Sequence, residues 1–414
     1  MRNNLTSFHD VNTSLHWLIV EDALRDQKGH WFEYISTFWQ GLHELGDNVT
    51  VLADRQAESF ILENLKALPV LPPSIWHRMS DGANPLIRYL RLPVHAWQTV
   101  KAIKGFLSQN NAYDVIFVPT VLVHHLLAWT CLIKRHLIGR RTRVILFFPN
   151  APVNYDLATG EYNWTNSLTT RLLKFLLKIL ASEVQNGQVI LGAETYSMQK
   201  ALTILSGVNF TYFPHPVQPF STEKINLSTD GKLIMGSYGA ARHEKGNDIL
   251  YRAILEFNHL DTNSNIQFIL QCLEGFEGER SLLADHTNVT WLNEYFQLGD
   301  YPKYLQKTDV MLLPYRISSY SLRVSRVIIE AMVNGIPVIA TEGTTLAEQS
   351  AEFGALVKCK NEDPVSLAEA IRYAVTHYQE LNAQAKQAVP KAQKHFSVQY
   401  FRDCLCNVPL VSLP

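Results

Sequence analysis

The chain has 414 residues, 47% of them hydrophobic, which is enough for two α/β domains of ordinary size. Its 37 Lys and Arg against 38 Asp and Glu leave a formal net charge of −1, so no global attraction to nucleic acid is expected. Five scattered cysteines, Cys131, Cys272, Cys359, Cys404 and Cys406, never spaced C-x-x-C, argue against a disulfide framework or a zinc knuckle and for a reducing cytoplasm.

The polar N-terminus, MRNNLTSFHDVNTS, lacks the apolar core of a signal peptide. Leu15–Val20 reads as a first strand, with Glu21–Gly29 as the loop behind it. Phe32, Ile35, Trp39, Leu42 and Leu45 then follow helical spacing until Gly46 stops it. Val49–Leu52, Val115–Val118, Val144–Phe148 and Val189–Leu191 read as further short strands. Pro214-His215-Pro216 opens a polar stretch running to Gly231, the best linker, with His215 a hinge residue rather than a catalyst. The alternation then restarts with Leu233–Met235, Ile266–Leu270, Val289–Trp291, Val310–Leu313 and Pro337–Ala340. Strands alternating with helices imply parallel sheets covered on both faces. The expected organisation is a Rossmann-like domain over 1–215, a linker over 216–231, a second Rossmann-like domain over 232–392 and a C-terminal helix and tail over 393–414. Two such doubly wound domains would face each other across a cleft at the carboxyl ends of both sheets. No apolar run reaches the about 20 residues needed to span a bilayer.

Two segments carry chemistry. GAARHEKG, residues 239–246, follows the first strand of the second domain. Arg242 and Lys245 there can grip a diphosphate while Gly239 lets the backbone approach; the plainer alternative is a solvated turn. RVSRVIIEAMVNGIPVIATEG places Arg326 and Glu330 on a helix fed by Ser325, with Gly335 stopping it and Pro337 opening a strand. Cations beside a helix N-terminus make a seat for phosphates, and a carboxylate one turn further in can accept from a ribose diol. Against this, Arg326 and Glu330 are also spaced as an ordinary i,i+4 ion pair. The chemistry indicated is a nucleotide-sugar site.

Together these segments resemble the retaining, family-4-type glycosyltransferases of the GT-B fold. So do Asn293-Glu294-Tyr295, Asp309 and Leu312-Leu313-Pro314-Tyr315 before the signature helix, and Lys28-Gly29-His30 with Glu33-Tyr34 near the start. The resemblance covers nearly the whole chain and is weak between Glu58 and Ala112. It implies an α/β GT-B enzyme that transfers a glycosyl group from a nucleoside diphosphate sugar with retention, with that sugar nucleotide as donor substrate and no cofactor. Arg242 and Lys245 would neutralise the leaving diphosphate, Glu330 would hold the ribose, and the backbone near Arg326 and Val327 would cap the β-phosphate. Gly29 would approach the phosphates and the acceptor; Tyr295 or Phe296 would meet the base. The family's first acid, eight residues before Glu330, is replaced by Leu322, which shifts donor-sugar recognition to Tyr320, Arg323 or Ser325. The family's arginine five residues before the lysine falls on Ala240, so Arg242 is expected to substitute for it.

His124 and His125 follow the strand Val115–Val118, where a histidine can orient the acceptor; a structural histidine in an apolar helix is the equal alternative. Leu126–Arg143 and Arg171–Leu180 combine basic and apolar residues, either as packing helices with snorkelling lysines or as elements resting on an anionic membrane. The expected partners are therefore a nucleotide-sugar donor and a glycan, lipid or small-molecule acceptor, with peripheral contact at the inner face of the membrane as a further expectation and no nucleic acid. No Asp-x-Asp of the metal-dependent glycosyltransferases is present; Arg242, Lys245 and a helix N-terminus can carry the phosphate charge, and no metal-binding residue is expected. Two rivals stay open: a GT-B epimerase or hydrolase of nucleotide sugars, and a non-catalytic sugar-nucleotide-binding module.

Overall fold

The computed structural model describes residues 14–27, 31–75, 85–110, 113–220, 231–260, 265–296 and 300–410. The chain divides into two compact units. One is built from the residues up to Asn154, from Glu161–Pro216 and from Ser397 onward; the other from Tyr155–Gly160 and Val217–Phe396. Residues 221–230 of the expected linker, and Gly29 with its neighbours Lys28 and His30, lie outside the described residues.

The first unit contains β1 (His16–Val20), β2 (Asn48–Asp54), β3 (Leu68–Leu71), β4 (Val115–Val118), β5 (Arg143–Phe148), β8 (Val189–Ala193) and β9 (Phe210–Tyr212). They form one sheet in the order β3-β2-β1-β4-β5-β8-β9, and every neighbouring pair is parallel. Central strands such as β4, apolar throughout, and β5, apolar after its leading Arg143, are buried at every position, because helices cover both faces. A short separate ribbon pairs β6 (Val153–Tyr155) with β7 (Tyr162–Trp164).

The weakly legible stretch between Glu58 and Ala112 contains real structure: a helix Ser59–Leu65, β3, and a 23-residue helix Pro85–Leu107 with Pro93 inside it. The internal proline, which ordinarily signals a break, is what masked the long helix.

The last helix, Val398–Cys406, packs into the first unit's core. Phe401 meets Phe38, Phe117 and Phe213 with ring centroids 4.8, 5.3 and 4.6 Å apart. Arg402 donates to both carboxylate oxygens of the fully buried Asp47, at 2.8 and 3.1 Å. Asp47 also accepts from the Leu15 amide and the Trp17 indole, so one carboxylate ties the end of the chain to its first strand. Gly41 makes the approach possible, since a Cβ there would lie 2.6 Å from Val398 Cγ2.

The second unit contains β10 (Leu233–Ser237), β11 (Ile266–Gln271), β12 (Val289–Leu292), β13 (Val310–Leu313), β14 (Val338–Thr341) and β15 (Leu356–Cys359). Its sheet runs β12-β11-β10-β13-β14-β15, again parallel throughout. One apolar cluster on each side of the sheet completes a doubly wound domain. The expected fold class, α/β with two Rossmann-like domains, is the observed one.

Candidate functional site

In the second unit β10 and β13 are neighbours in the sheet but not in the chain, which runs out to β11 and β12 on one side and resumes at β13 on the other. Loops leaving such a pair diverge, and open α/β sheets bind ligands there. The loop after β10 is tightly built. Gly239 takes φ +94° and its amide donates to Gln271 Oε1 at 2.7 Å. Gln271 Nε2 in turn donates to the Glu294 carbonyl at 2.9 Å. A Cβ on Gly239 would lie 2.8 Å from Lys245 Nζ, so the ammonium folds back over the start of its own loop. Gly246, at φ +68°, sits so close to the end of β13 that a Cβ would come within 2.2 Å of the Pro314 carbonyl oxygen.

Arg316, buried just beyond β13, clamps this loop from the other side. Its amide donates to the Glu244 carbonyl at 3.0 Å and its guanidinium donates to the His243 carbonyl. The same side chain forks onto Asp248 at 3.0 and 2.8 Å and reaches Glu362 at 2.5 Å. An arginine committed in this way holds the backbone rather than a ligand.

The cations left facing outward are Arg242, with a 62% exposed side chain, and Arg323, at 40%. Glu244 gathers both, at 3.6 and 3.7 Å. Lys245 lies 5.7 Å from the Tyr315 ring centroid. Burial, reinforced by the Arg242 charge and opposed by Glu244, brings its pKa down to about 8.

On the helix Arg326–Val333, Glu330 is 2% exposed and accepts from Arg326 Nε at 2.7 Å. The ion pair set out as the plainer reading is thus present, and it is inside the protein. Tyr301 stands against the same carboxylate; burial first, then the Glu330 charge, raises its phenol well above the ordinary value. Ser325 precedes the helix without capping it through its side chain and lies against the buried Tyr315. Arg242 and Arg323 meet at Glu244 and Lys245 folds over Gly239, while Arg326 and Glu330 pair with each other on the helix that follows Ser325. Val327 is half-buried against the core beneath them. Leu322, at the position where the resemblance expects the first acid, is 7% exposed. Tyr295 stands apart, 76% exposed after the edge strand β12, lining a groove of about 430 Å³ with Trp291, Asn293, Lys303 and Tyr304.

The first unit has the same switch in strand order between β1 and β4. Glu21 and Asp22 leave β1 there, and His124 and His125 begin the helix Val123–Lys134 after β4. Asp22 Oδ2 accepts from His125 Nε2 at 2.9 Å and lies 3.1 Å from His95 Nε2, which the long helix supplies. Burial works to raise Asp22, but the His125 charge and the two histidine contacts outweigh it and hold the carboxylate ionised. Burial, followed by the Asp22 charge, brings Glu21 up to about 7. His124 is 2% exposed, and burial with its two histidine neighbours lowers it to about 2. An imidazole of that basicity is neutral at physiological pH and takes up no proton there. His215, read as a hinge, is buried in the same unit, donating from Nδ1 to Glu194 at 2.9 Å and stacked on Tyr34.

Sequence reasoning missed Arg316, Asp248, Gln271, Tyr301, Asp22 and His95. Position alone could have pointed to Asp22, which follows the first strand directly; nothing local distinguishes the others.

Residues 232–377 match the family described as "Glycosyl transferases group 1". No curated protein matches the chain. Among solved structures, a glycosyltransferase from Rickettsia africae is similar with a TM-score of 0.66 at 14% identity, over 95% of this chain and 100% of that one. Anabaena HepE in complex with UDP and glucose is similar with a TM-score of 0.59 at 14% identity, over 94% and 97%. Sucrose-phosphate synthase from Thermosynechococcus elongatus gives 0.61 at 15% identity, over 94% and 96%. At these identities the likeness is one of fold, and the fold is that of GT-B glycosyltransferase structures.

Proposed function

We propose that this protein transfers a glycosyl group from a nucleoside diphosphate sugar to a glycan, lipid or small-molecule acceptor, with retention and without a metal at the diphosphate. The observation that carries the reading is the loop after β10. It holds Lys245 Nζ over Gly239 at the strand-order switch, beside two arginines gathered by Glu244. The match of residues 232–377 to glycosyl transferases supports it. So does a structural neighbour solved with UDP and glucose.

In this mechanism the bond from the anomeric carbon to the diphosphate breaks as the acceptor oxygen bonds to the same face. The acceptor's proton passes to the departing phosphate oxygen. Arg242 and Lys245 favour the transition state because the leaving group gains charge there. Arg323 and Ser325 are placed on the donor sugar in lieu of the missing acid, Glu330 on the ribose, and Arg326 and Val327 at the β-phosphate. Tyr295 meets the base, and Gly29 the phosphates and acceptor. Glu244 and Glu330 are both engaged by arginines, so neither is assigned as a covalent nucleophile. Retention is inferred from the likeness of Glu330 and its helix to the retaining family. His124, near the acceptor in the first unit, is given no proton-transfer step.

No described helix is long and apolar enough to cross a membrane. A cytoplasmic protein touching the inner membrane face is proposed from the helix Leu168–Ile179, which exposes Leu168 and Phe175 alternating with Arg171 and Lys178. The deciding experiment for the activity is a panel of nucleotide sugars, read by thermal shift and then by nucleotide release with and without candidate acceptors. Acceptor-dependent release is expected. Release without acceptor would point to an epimerase or hydrolase, and stabilisation without release to a binding module.

A further inference from the structure

Asp22, His95, His124 and His125 form a buried group that the proposed transfer does not use. We propose that these four side chains bind a divalent transition-metal ion, zinc by the chemistry of the donor set, as a structural centre of the first unit. One ligand atom from each lies within 4.8 Å of all the others, and all four residues are buried. Three separate segments supply them: the exit of β1, the helix Pro85–Leu107 and the helix Val123–Lys134.

The hydrogen-bond chemistry is left incomplete without an ion. Asp22 Oδ2 alone faces His125 Nε2 at 2.9 Å and His95 Nε2 at 3.1 Å. His124 Nε2 is buried with no hydrogen-bond partner, and the His95 nitrogen makes no properly directed bond. A buried unpaired polar atom costs of order 1–3 kcal/mol, and natural interiors contain few of them. A metal ion satisfies every one of these atoms at once. Ligands held tetrahedrally at zinc bond lengths stand about 3.3 Å apart; Asp22 is 2.9 and 3.1 Å from two of its partners, and the whole set, within 4.8 Å, has only to draw in slightly around an ion. Three imidazoles and one carboxylate suit zinc, and four protein ligands leave no open position, the mark of a structural rather than a catalytic site. The outer ring nitrogen of His125, Nδ1, takes the Leu122 amide at 3.2 Å and has the Thr120 carbonyl beside it; binding an ion through Nε2 puts the ring proton on Nδ1, which then donates to that carbonyl, the kind of acceptor that orients a metal-bound histidine. The centre is in the first unit, apart from the diphosphate seat proposed in the second, and it departs from the expectation that no residue binds a metal.

The test uses the full chain, purified without a polyhistidine tag from zinc-supplemented culture and dialysed against metal-free buffer. Elemental analysis should find about one zinc per chain, and cobalt replacement should give the visible absorption bands of a tetrahedral centre. His124→Gln and Asp22→Asn should each lose the ion. Chelation should lower the wild-type melting temperature by about 5–10 °C and leave His124→Gln unmoved. The proposal is overturned if the wild-type protein carries no metal and gives no cobalt bands, since the group is then held by protons alone. It is equally overturned if both variants retain zinc, which places the ion elsewhere. Because the cobalt titration reads the wild-type chain, a variant that fails to fold does not blunt the test.

Discussion

Lys245 concentrates the chemistry of the second unit in one side chain. Its ammonium is held over Gly239 by the loop itself, so it needs no reorganisation when a diphosphate arrives. Replacing it with alanine should lower kcat by about 10²–10³-fold with a smaller effect on donor KM, since its charge matters most where the leaving group gains its own. A pH profile offers a second check. With a pKa lowered to about 8, the free enzyme carries the charge below that value and loses it above. Thus kcat/KM should be flat near neutrality and fall as pH rises through about 8, and Lys245→Arg should abolish that limb. An unchanged alkaline limb in the arginine variant would remove Lys245 from the mechanism.

At the scale of elements, the loop after β10 and the last helix each depend on close backbone approach. Gly246 combines a left-handed φ of +68° with 2.2 Å of room before the Pro314 oxygen. Gly246→Ala should therefore push the loop off β13 and displace Lys245, costing about 10²-fold in kcat/KM while circular dichroism stays native. The last helix makes a different kind of contact. Arg402→Ala leaves Asp47 buried and without its cation, and should destabilise the first unit by about 3–5 kcal/mol in urea titrations. Replacing Arg402 and Asp47 together by apolar residues should recover only part of that loss, because the uncompensated charge is gone but the Leu15 amide and the Trp17 indole lose their buried acceptor.

For the molecule as a whole, the two units share one plan. Each is a parallel sheet whose strand order reverses beside its first strand, β1/β4 in one and β10/β13 in the other. Each carries a charged group after the strand at that reversal, Asp22 with its histidines in one and Arg242, Glu244 and Lys245 in the other, where loops of an open sheet diverge. The outer surface makes a separate prediction. Exposed Leu168 and Phe175, alternating with exposed Arg171 and Lys178, should carry the protein to anionic liposomes at low salt, and flotation should weaken as salt screens the charges. Failure to float with anionic lipid at low salt would leave this helix as a packing element only.

Much of this was legible along the chain. The short apolar runs at Val115–Val118 and Val310–Leu313 read as buried strands because they are brief, rich in β-branched or aliphatic residues and closely followed by Pro119 and Pro314. GAARHEKG and the Arg326–Glu330 helix stood out because phosphate chemistry needs cations, a glycine and a helix start close together in sequence. Local pattern carries no distance information beyond a turn or two, so other features were settled by folding alone. Arg316 became a clamp only when β13 was laid beside β10, and the C-terminal helix became part of the first unit only when Arg402 met Asp47, 355 positions away. The grouping of Asp22, His95, His124 and His125 is of the same kind: three ordinary stretches of sequence whose side chains acquire a shared chemistry once the sheet brings them into one buried space.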